Sequence, residues 1–326
     1  MPLQTYLRPQ DLRTVAVVGT GSVGASWAAL FLAHGLDVVA FDPSPGAEAR
    51  AHDFVAQAWP ALLALGLVKT NTPTPPLMRF VASAAEAARA ADLIQENTPE
   101  KPALKSQVLA ELDAAAAPHK IILSSTGGIP ATQLQATCQH PERVVVVHPF
   151  NPSHLLPLVE VVGGQHTAPA VVAWAMDFAR WLGKQPIQLN VEAPGHLTNR
   201  LQFALVREAV ACLLDGVASA RDIDLAVRYG LGPRWTLMGS LLTLHLAGGP
   251  GGMKGILDHA GAAIESWWTP RSQPQLTPEV KAQLAAAGQE VSQGQPIADW
   301  VQWRDDNLVA LLQLQQAGAA TEPHAA

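Results

Sequence analysis

The sequence predicts an α/β protein, with a Rossmann-type doubly wound parallel sheet followed by an all-α C-terminal domain. Three observations carry this prediction. A glycine-rich turn follows the first apolar strand, strand and helix patterns then alternate as far as residue 189, and only helical patterns remain beyond residue 195. We therefore expect a Rossmann-type domain over residues 1–192 and a helical domain over residues 193–326.

The first predicted strand, residues 15–18, runs into three glycines spaced G-x-G-x-x-G, and a helix of small residues follows. Gly19 permits a tight turn, Gly21 lets a pyrophosphate approach the backbone, and Gly24 lets the helix pack closely on the strand. The first amides of that helix lack intrahelical partners and lie at the positive end of its dipole, which favours phosphate oxygens. The predicted cofactor contacts in this turn are Gly19, Gly21, Ser22, Val23 and Gly24.

A second apolar strand, predicted over residues 36–41, ends at Asp42. In a dinucleotide-binding domain a carboxylate about twenty residues after the glycine turn binds the adenosine ribose hydroxyls. The negative charge of Asp42 also disfavours the additional 2′-phosphate of NADP. The sequence therefore predicts NAD as the cofactor.

The rest of the sheet follows the same alternation. Strands are predicted over residues 78–82, 92–95, 121–123, 144–147, 159–162 and 186–189, and helices over residues 47–65, 84–90, 101–115 and 168–182. Ligands bind at the carboxyl ends of strands in such sheets. Polar residues are concentrated at these ends, among them Glu96, Ser125, His148 and Asn151.

Six helices are predicted in the C-terminal domain, over residues 197–214, 220–229, 236–246, 253–264, 279–286 and 298–315. The glycines within residues 248–252 indicate a turn between helices rather than a phosphate loop, because no strand precedes them. A Pro/Gln-rich break is predicted around residues 270–278.

Composition limits the classes of function. The chain has 326 residues and a net charge of -6, and no basic stripe stands out, so we expect no nucleic-acid partner. No apolar run reaches membrane length and the amino terminus lacks an apolar core, so we expect neither a membrane partner nor a signal peptide. Cys138 and Cys212 are too few for a disulfide framework or a zinc site. We therefore expect a cytoplasmic protein without a bound metal.

His148 is the candidate general base for oxidation of a secondary alcohol, because an imidazole titrates near neutral pH. It ends a predicted strand, and Glu160 follows twelve residues later in the next strand. A carboxylate beside an imidazole fixes its tautomer. Asn199 could hydrogen-bond the substrate or the histidine. Spacing alone leaves open that His148 merely terminates a strand and that Glu160 is a surface charge.

The segment from His148 to Pro152, the strand around Glu160 and the run from Pro194 to Arg200 resemble the 3-hydroxyacyl-CoA dehydrogenase superfamily. With the glycine turn and Asp42, the resemblance covers residues 13–262. It implies that a histidine base paired with a glutamate, and a supporting asparagine, act on the substrate, and that the enzyme is a homodimer. Carried to this chain, the catalytic residues are His148, Glu160 and Asn199. The resemblance also places Glu96, Lys101 and Asn151 near the nicotinamide half of NAD.

Two departures from the family pattern bear on the substrate. A family serine in the loop after the fifth strand is replaced by Gly127, so we take Ser125 as the candidate substitute. The helix after the second strand, which carries CoA-binding lysines in acyl-CoA enzymes, offers only Arg50 between residues 43 and 67. Phosphate recognition without cations is poor, which argues against CoA.

The resemblance thus implies an NAD-dependent 3-hydroxy-acid dehydrogenase. Residues 230–239, 245–249, 252–253 and 304–308 resemble one branch of the superfamily in particular, and this closer resemblance implies a small carnitine-like substrate. Such a substrate carries a quaternary ammonium, for which Trp235, Trp267 and Trp268 are candidate contacts, although tryptophans at helical spacing are more often core residues. L-Gulonate or a 3-hydroxyacyl-CoA are alternative substrates. A non-catalytic NAD-binding protein, such as a crystallin-like protein, is the alternative from another class.

Overall fold

The computed structural model describes residues 6–69, 72–268 and 273–319. The chain divides into two compact units. The sheet unit holds residues up to Arg200 together with Leu308–Gln313, and the helical unit holds Leu201–Asn307 together with the residues from Leu314 onward. The predicted break around residues 270–278 lies partly outside the described residues.

An eight-stranded sheet forms the centre of the sheet unit. Its strands are β1 (Thr14–Val18), β2 (Asp37–Phe41), β3 (Arg79–Phe80), β4 (Leu93–Glu96), β5 (Ile122–Ser124), β6 (Val144–Pro149), β7 (Leu158–Gly163) and β8 (Gln185–Gln188). They lie in the order β3-β2-β1-β4-β5-β6-β7-β8. The order reverses direction at β1, which gives the switch point at which doubly wound sheets bind ligands. The predicted fold class is confirmed.

One pair of strands departs from the expected parallel sheet, since β7 runs antiparallel to β6. Only residues 150–157 connect these strands, whereas a parallel connection needs a crossover of a dozen or more residues. The short connection therefore forces an antiparallel return. As a consequence, His148 and Glu160 lie directly opposite each other in the ladder.

Helices cover both faces of the sheet. The helices of this unit are α1 (Ser22–Ala33), α2 (Ala47–Ala64), α3 (Ala84–Ala90), α4 (Pro102–Ala115), α5 (Ala131–Gln135) and α6 (Pro169–Trp181). α1, α2 and α6 pack on the face that carries Val15 and Val17, and α3, α4 and α5 pack on the face that carries Ala16 and Val18. Successive side chains of a strand point to opposite faces, so both faces of β1 are buried. The short helix α5 is absent from our prediction.

The glycine turn joins β1 to α1 at very close range. Gly19 has φ 85°, in the left-handed region that glycine adopts without steric cost. A Cβ on Gly24 would lie 1.9 Å from the carbonyl oxygen of Gly19, so only glycine allows the helix to start there. The predicted roles of these two glycines in the turn and in the packing thus have a direct steric basis.

The helical unit contains helices only, within the described residues. They are α7 (Thr198–Leu214, which begins in the sheet unit), α8 (Ala220–Leu225), α9 (Gly232–Leu237), α10 (Ser240–Ala247), α11 (Gly252–Trp267), α12 (Pro278–Val291) and α13 (Ile297–Ala319). The single helix predicted over residues 236–246 is wrong, because Met238 is extended and Gly239 caps α10. A π-helical segment, Ala226–Leu231, joins α8 to α9. No helix in the described part of the chain is long and apolar enough to cross a lipid bilayer.

A buried lysine fixes the connection between β6 and β7. The Nζ atom of Lys184 donates to the carbonyl oxygens of Ser153, at 2.5 Å, and Leu156, at 2.9 Å. It also lies 5.8 Å from the centroid of the Trp27 ring. No carboxylate within the described residues pairs with it, and burial lowers the pKa of Lys184 to about 7.

We predict that this lysine makes stability rise with pH. Above pH 7 the folded state has released the Lys184 proton, whereas the unfolded chain keeps it up to its ordinary pKa near 10.5. The unfolded state therefore binds more protons between pH 7 and 10, and the free energy of unfolding rises by about 1 kcal/mol per pH unit. Thermal melts of wild type and Lys184→Met at pH 7, 8 and 9 measure this rise, which the variant should lack. Lys69→Met, at an exposed lysine, is the control and should melt like wild type. The prediction would be contradicted if the stability of wild type and that of Lys184→Met changed equally between pH 7 and 9.

Candidate active site

A cavity of about 690 Å³ opens at the carboxyl ends of the strands in the sheet unit. This size is typical of small-molecule sites. It extends from Asp42 after β2 to His148 at the end of β6, across five neighbouring strands and roughly 19 Å at the usual strand spacing. The predicted site residues that line it are Gly19, Gly21, Ser22, Val23, Asp42, Ser125, His148 and Asn151.

The first turn of α1 faces this cavity. Gly21 is the N-cap residue of the helix and offers no side chain to the following amides. A Cβ on Gly21 would meet no atom within 4 Å, so the space above its backbone is open. Unpaired amides beside open space at a helix N-terminus form a site for phosphate oxygens.

Asp42 is held rigidly at the other side of the turn. Its carboxylate accepts the backbone N–H of Thr20 at 2.8 Å and that of Ser44 at 2.9 Å. Burial raises the pKa of Asp42, but the backbone and side-chain hydrogen bonds from Thr20 and Ser44 together lower it more, so the pKa lies below its ordinary value. The carboxylate is therefore an anion at neutral pH, and together with the open glycine turn it suits the adenosine half of NAD.

The cross-strand pair of β6 and β7 forms a hydrogen-bonded dyad. The Nδ1 atom of His148 lies 2.8 Å from Oε2 of Glu160. Glu160 is fully buried, whereas His148 is 7% exposed and reaches the cavity. The ring of Phe150 packs against the imidazole, with 4.8 Å between ring centroids. The structure thus brings together the two residues predicted to form the base and its partner.

The second oxygen of Glu160 binds the start of α7. Oε1 accepts the backbone N–H of Leu197 at 3.0 Å and that of Thr198 at 2.7 Å. Burial raises the pKa of Glu160, but the hydrogen bond and charge interaction with His148 and the hydrogen bonds from Thr198 together lower it more, leaving it below its ordinary value. All three neighbours offer a hydrogen to the carboxylate, so it is anionic and His148 carries its proton on Nδ1. In the neutral imidazole, Nε2 is then the nitrogen that carries the lone pair.

The loop after β5 passes directly beside that nitrogen. A Cβ on Gly127 would lie 3.2 Å from Nε2 of His148 and 3.4 Å from Nδ2 of Asn199. Asn199 donates from Nδ2 to the carbonyl oxygen of Gly127 at 2.9 Å. Gly127, the residue that replaces the family serine, therefore lies between Asn199 and the imidazole of His148, and the structure brings Asn199 close to the dyad.

His196 anchors the same loop from behind. It is buried, has φ 50°, and lies with its Nε2 atom 3.1 Å from the carbonyl oxygen of Thr126. A positive φ is uncommon outside glycine. Burial and the neighbouring His148 lower the pKa of His196, which keeps this imidazole neutral. The ring centroids of His196 and His148 are 5.4 Å apart.

Ser125, the candidate substitute for the family serine, lines the cavity but is already engaged. Its hydroxyl accepts from Trp27 at 3.0 Å and from Gln95 at 2.8 Å, and it donates to the side-chain oxygen of Asn97 at 2.8 Å. A serine hydroxyl has one hydrogen to donate and two lone pairs. In this structure no hydrogen of Ser125 is left for a substrate.

Glu96 and Lys101, assigned to the nicotinamide half by resemblance, lie outside the cavity lining. Glu96 is fully buried and accepts from Lys105 at 3.0 Å, from Ser124 at 2.5 Å and from the Thr98 amide at 2.6 Å. Lys101 is exposed at the N-cap of α4. These two assignments remain predictions that the geometry does not favour.

Glu100 and Lys105 do line the cavity, and sequence reasoning missed them. One oxygen of Glu100 accepts from the Thr126 hydroxyl at 2.6 Å and from the Gly127 amide at 3.1 Å. Glu100 and Lys105 have the same five-residue spacing as Glu96 and Lys101, so a shift of four residues exchanges one pair for the other. The presence of this second Glu/Lys pair was the signal in the sequence, but sequence alone does not show which of the two pairs lines the cavity.

The candidate contacts for a quaternary ammonium, Trp235, Trp267 and Trp268, all lie in the helical unit. Their side chains are exposed. None of the three makes an aromatic or cation–π contact within the described residues.

Comparison with protein families gives two matches along the chain. Residues 14–192 match the NAD-binding domain of 3-hydroxyacyl-CoA dehydrogenase, and residues 195–295 match the C-terminal domain of 3-hydroxyacyl-CoA dehydrogenase.

Curated relatives extend this match. The chain is 46% identical over 304 residues to a Streptomyces coelicolor protein named L-carnitine dehydrogenase. The aligned region covers 93% of this chain and 95% of that protein. It is 44% identical to the L-carnitine dehydrogenase of Pseudomonas aeruginosa, over 93% of this chain and 94% of that protein.

Two solved structures also match most of the chain. The crystal structure of 5-formyl-3-hydroxy-2-methylpyridine 4-carboxylic acid 5-dehydrogenase, an NAD+-dependent dismutase, matches with a TM-score of 0.82 and 31% identity, covering 94% of this chain and 99% of that chain. FadB2 of M. tuberculosis matches with a TM-score of 0.64 and 27% identity, covering 85% of this chain and 95% of that one. The chain therefore belongs to the 3-hydroxyacyl-CoA dehydrogenase family and is an NAD-dependent oxidoreductase.

Proposed function

We propose that the protein oxidises the 3-hydroxyl of a small 3-hydroxy acid to the 3-keto acid, with His148 as the general base and Glu160 as its partner. The observation that carries the proposal is the 2.8 Å contact between Nδ1 of His148 and Glu160, with the imidazole reaching the same cavity as the nucleotide turn. A base must lie within reach of the proton that it removes, and its orientation must be fixed.

The dyad determines where the proton goes. Glu160 holds the Nδ1 proton of His148, so Nε2 presents a lone pair beside Gly127. The hydroxyl proton of the substrate passes to Nε2 as the carbon–hydrogen bond breaks, and the alcohol carbon becomes a carbonyl. Bound NAD+ supplies the acceptor for the hydride. Glu160 then lies next to an imidazolium and stabilises its positive charge.

The loop beside the dyad positions the reacting groups. Asn199 and Glu100 bind Gly127 from its carbonyl and amide sides, and His196 binds the preceding carbonyl. These contacts prevent the loop from moving away from His148. We propose that Asn199 holds the loop and the substrate hydroxyl in line with Nε2, because its amide lies next to both Gly127 and the imidazole.

A carnitine-like substrate is the favoured member of the class. The curated relatives carry the name L-carnitine dehydrogenase, and α2 offers no cluster of cations to a CoA phosphate. Its single arginine, Arg50, donates to the carbonyl oxygen of Pro45. A panel of carnitine, L-gulonate and acetoacetyl-CoA, followed through NADH absorbance, separates the three substrates. Binding of NAD without turnover on any of them would favour a non-catalytic NAD-binding protein.

We also propose a cytoplasmic homodimer. The helical unit exposes several large apolar side chains that monomers ordinarily bury, among them Leu237, Leu241, Trp267 and Trp268. Both cysteines, Cys138 and Cys212, are free, as is usual in a reducing compartment.

Replacing the base tests the mechanism directly. His148→Ala removes the only proposed proton acceptor, so we expect kcat to fall by about 10²- to 10⁴-fold while the Kd for NAD stays within about twofold. Steady-state assays and calorimetry measure the two quantities. His119→Ala, at an exposed histidine of the same unit, is the control and should retain full activity. Normal turnover by His148→Ala would remove His148 from the mechanism.

Replacing the partner tests the tautomer. Glu160→Gln keeps the shape, but the amide nitrogen must face either the imidazole or the two backbone amides, all of which donate hydrogens in the wild type. We expect kcat to fall by about 10²- to 10⁴-fold with little change in NAD affinity. The measurement is kcat against NAD Kd, supported by circular dichroism to show that the variant folds. A variant with more than half of wild-type kcat would overturn the assigned role of Glu160.

Asp42→Asn tests the cofactor assignment. Asparagine has one side-chain oxygen, so it can accept from the Thr20 amide or from the Ser44 amide but not from both. Its lack of charge also weakens the hold on the ribose and no longer repels a 2′-phosphate. We expect the preference for NAD over NADP, measured as the ratio of kcat/KM, to fall by about tenfold. Asp53→Asn, exposed on α2, is the matched control. An unchanged ratio would exclude the proposed ribose contact.

A further inference from the structure

A second cavity lies wholly within the helical unit, at the meeting point of α8, the π-helical segment, the end of α12 and the start of α13. It has a volume of about 680 Å³ and adjoins a smaller one of about 320 Å³. The two share Arg228, Trp300 and Trp303 in their walls. We call this pair of cavities the tryptophan cavity. Nothing in the proposed mechanism uses it.

Aromatic rings form its most ordered part. The rings of Trp300 and Trp303 stand nearly perpendicular, at 78°, with centroids 5.5 Å apart. The Trp300 indole donates to the carbonyl oxygen of Ser292 at 3.1 Å, which fixes the ring against the turn after α12. Perpendicular aromatic faces beside a cavity form two walls of a cage for a cation.

Arg228 sits among these rings without an acidic partner. Its guanidinium carbon lies 5.1 Å from the Tyr229 centroid and 5.2 Å from that of Trp303. Over the described residues it makes no ion pair within 4.0 Å. A guanidinium stacked on rings keeps its hydrogen-bond donors free in the plane of the fork, where a carboxylate binds bidentately.

The backbone that presents Arg228 is itself unusual. Arg228 and Tyr229 lie in the π-helical segment Ala226–Leu231. π-Helical turns are rare and occur frequently at functional sites. Here the segment places two consecutive long side chains at the cavity, one cationic and one aromatic.

The lining carries charges of both signs. The acidic and basic residues of the tryptophan cavity are Arg221, Arg228, Asp224, Glu290 and Asp299. No ion pair among them falls within 4.0 Å in the part of the chain that the structure describes. A wall with unpaired cations, unpaired anions and aromatic faces complements a ligand that is itself a zwitterion, better than it complements a simple anion or cation.

We propose that the tryptophan cavity binds a small zwitterion that carries a quaternary ammonium and a carboxylate. The ammonium lies against the faces of Trp300 and Trp303, near the carboxylate of Asp299. The carboxylate of the ligand accepts from the guanidinium of Arg228. The choice of a quaternary ammonium rests in part on the proposed function, since it matches the favoured substrate class.

Glycine betaine is the probe, because it has both charged groups and no hydroxyl to oxidise. Its nine equivalent methyl protons give one strong signal, so saturation-transfer NMR on the full-length protein measures binding. We expect saturable binding, with choline and acetate, which each carry only one of the two groups, binding at least tenfold more weakly. Trp303→Leu and Arg228→Met should each weaken betaine binding about tenfold. Lys281→Met, at an exposed lysine of α12 outside the cavity lining, is the control and should bind as wild type does.

Three outcomes would overturn the proposal: no saturable betaine signal, unchanged affinity in both cavity variants, or equal affinity for acetate, which would indicate a simple anion site. The assay is repeated in His148→Ala, which leaves the tryptophan cavity intact. Betaine binding there, with no oxidation of any hydroxy acid by the wild type, would refute the proposed function and leave this inference standing. If the wild type oxidises carnitine but the two cavity variants bind betaine as tightly as the wild type does, the proposed function stands and this inference is refuted.

Discussion

The buried carboxylate of Glu160 is the interaction on which the candidate active site depends. It accepts hydrogens from the His148 ring and from the backbone amides of Leu197 and Thr198, at the start of α7. A buried carboxylate is stable only when it is satisfied in this way. The same ion therefore fixes the imidazole tautomer and the position of the helix that carries Asn199. Catalytic geometry and local folding share one set of hydrogen bonds.

That arrangement follows from a reversal of one strand. In an all-parallel sheet, the strand after β6 would begin at the opposite edge, and its residues would reach the carboxyl edge only at its end. The short connection of residues 150–157 instead turns β7 back beside β6, so Glu160 faces His148 in register. The buried Lys184 and the carbonyl oxygens of Ser153 and Leu156 hold this connection in place.

Much of the fold and part of the candidate site could be predicted from sequence, because these features depend on local chemistry. The glycine turn, Asp42 and the order of strands and helices follow from glycine sterics and from apolar periodicity. The antiparallel return also follows from the length of residues 150–157, although the alternating pattern suggested a parallel sheet. What could not be predicted depends on contacts across the sheet. These contacts engage the hydroxyl of Ser125, and they place Glu100 and Lys105 in the cavity lining while Glu96 is buried beside Lys105. The spacing from Glu100 to Lys105 equals that from Glu96 to Lys101, so sequence alone does not show which of these residues line the cavity.

Gly127 shows how a substitution in the motif acts through the backbone. A side chain there would press on Nε2 of His148 and on the amide of Asn199, whereas glycine lets the loop approach the imidazole directly. Glu100, His196 and Asn199 hold the loop at that distance from three sides. The hydroxyl that the family pattern supplies at this position is therefore absent, and the loop backbone itself lies next to the imidazole. In the mechanism that we propose, the dyad and Asn199 make the contact with the substrate hydroxyl, so that mechanism requires a rigid loop beside the imidazole.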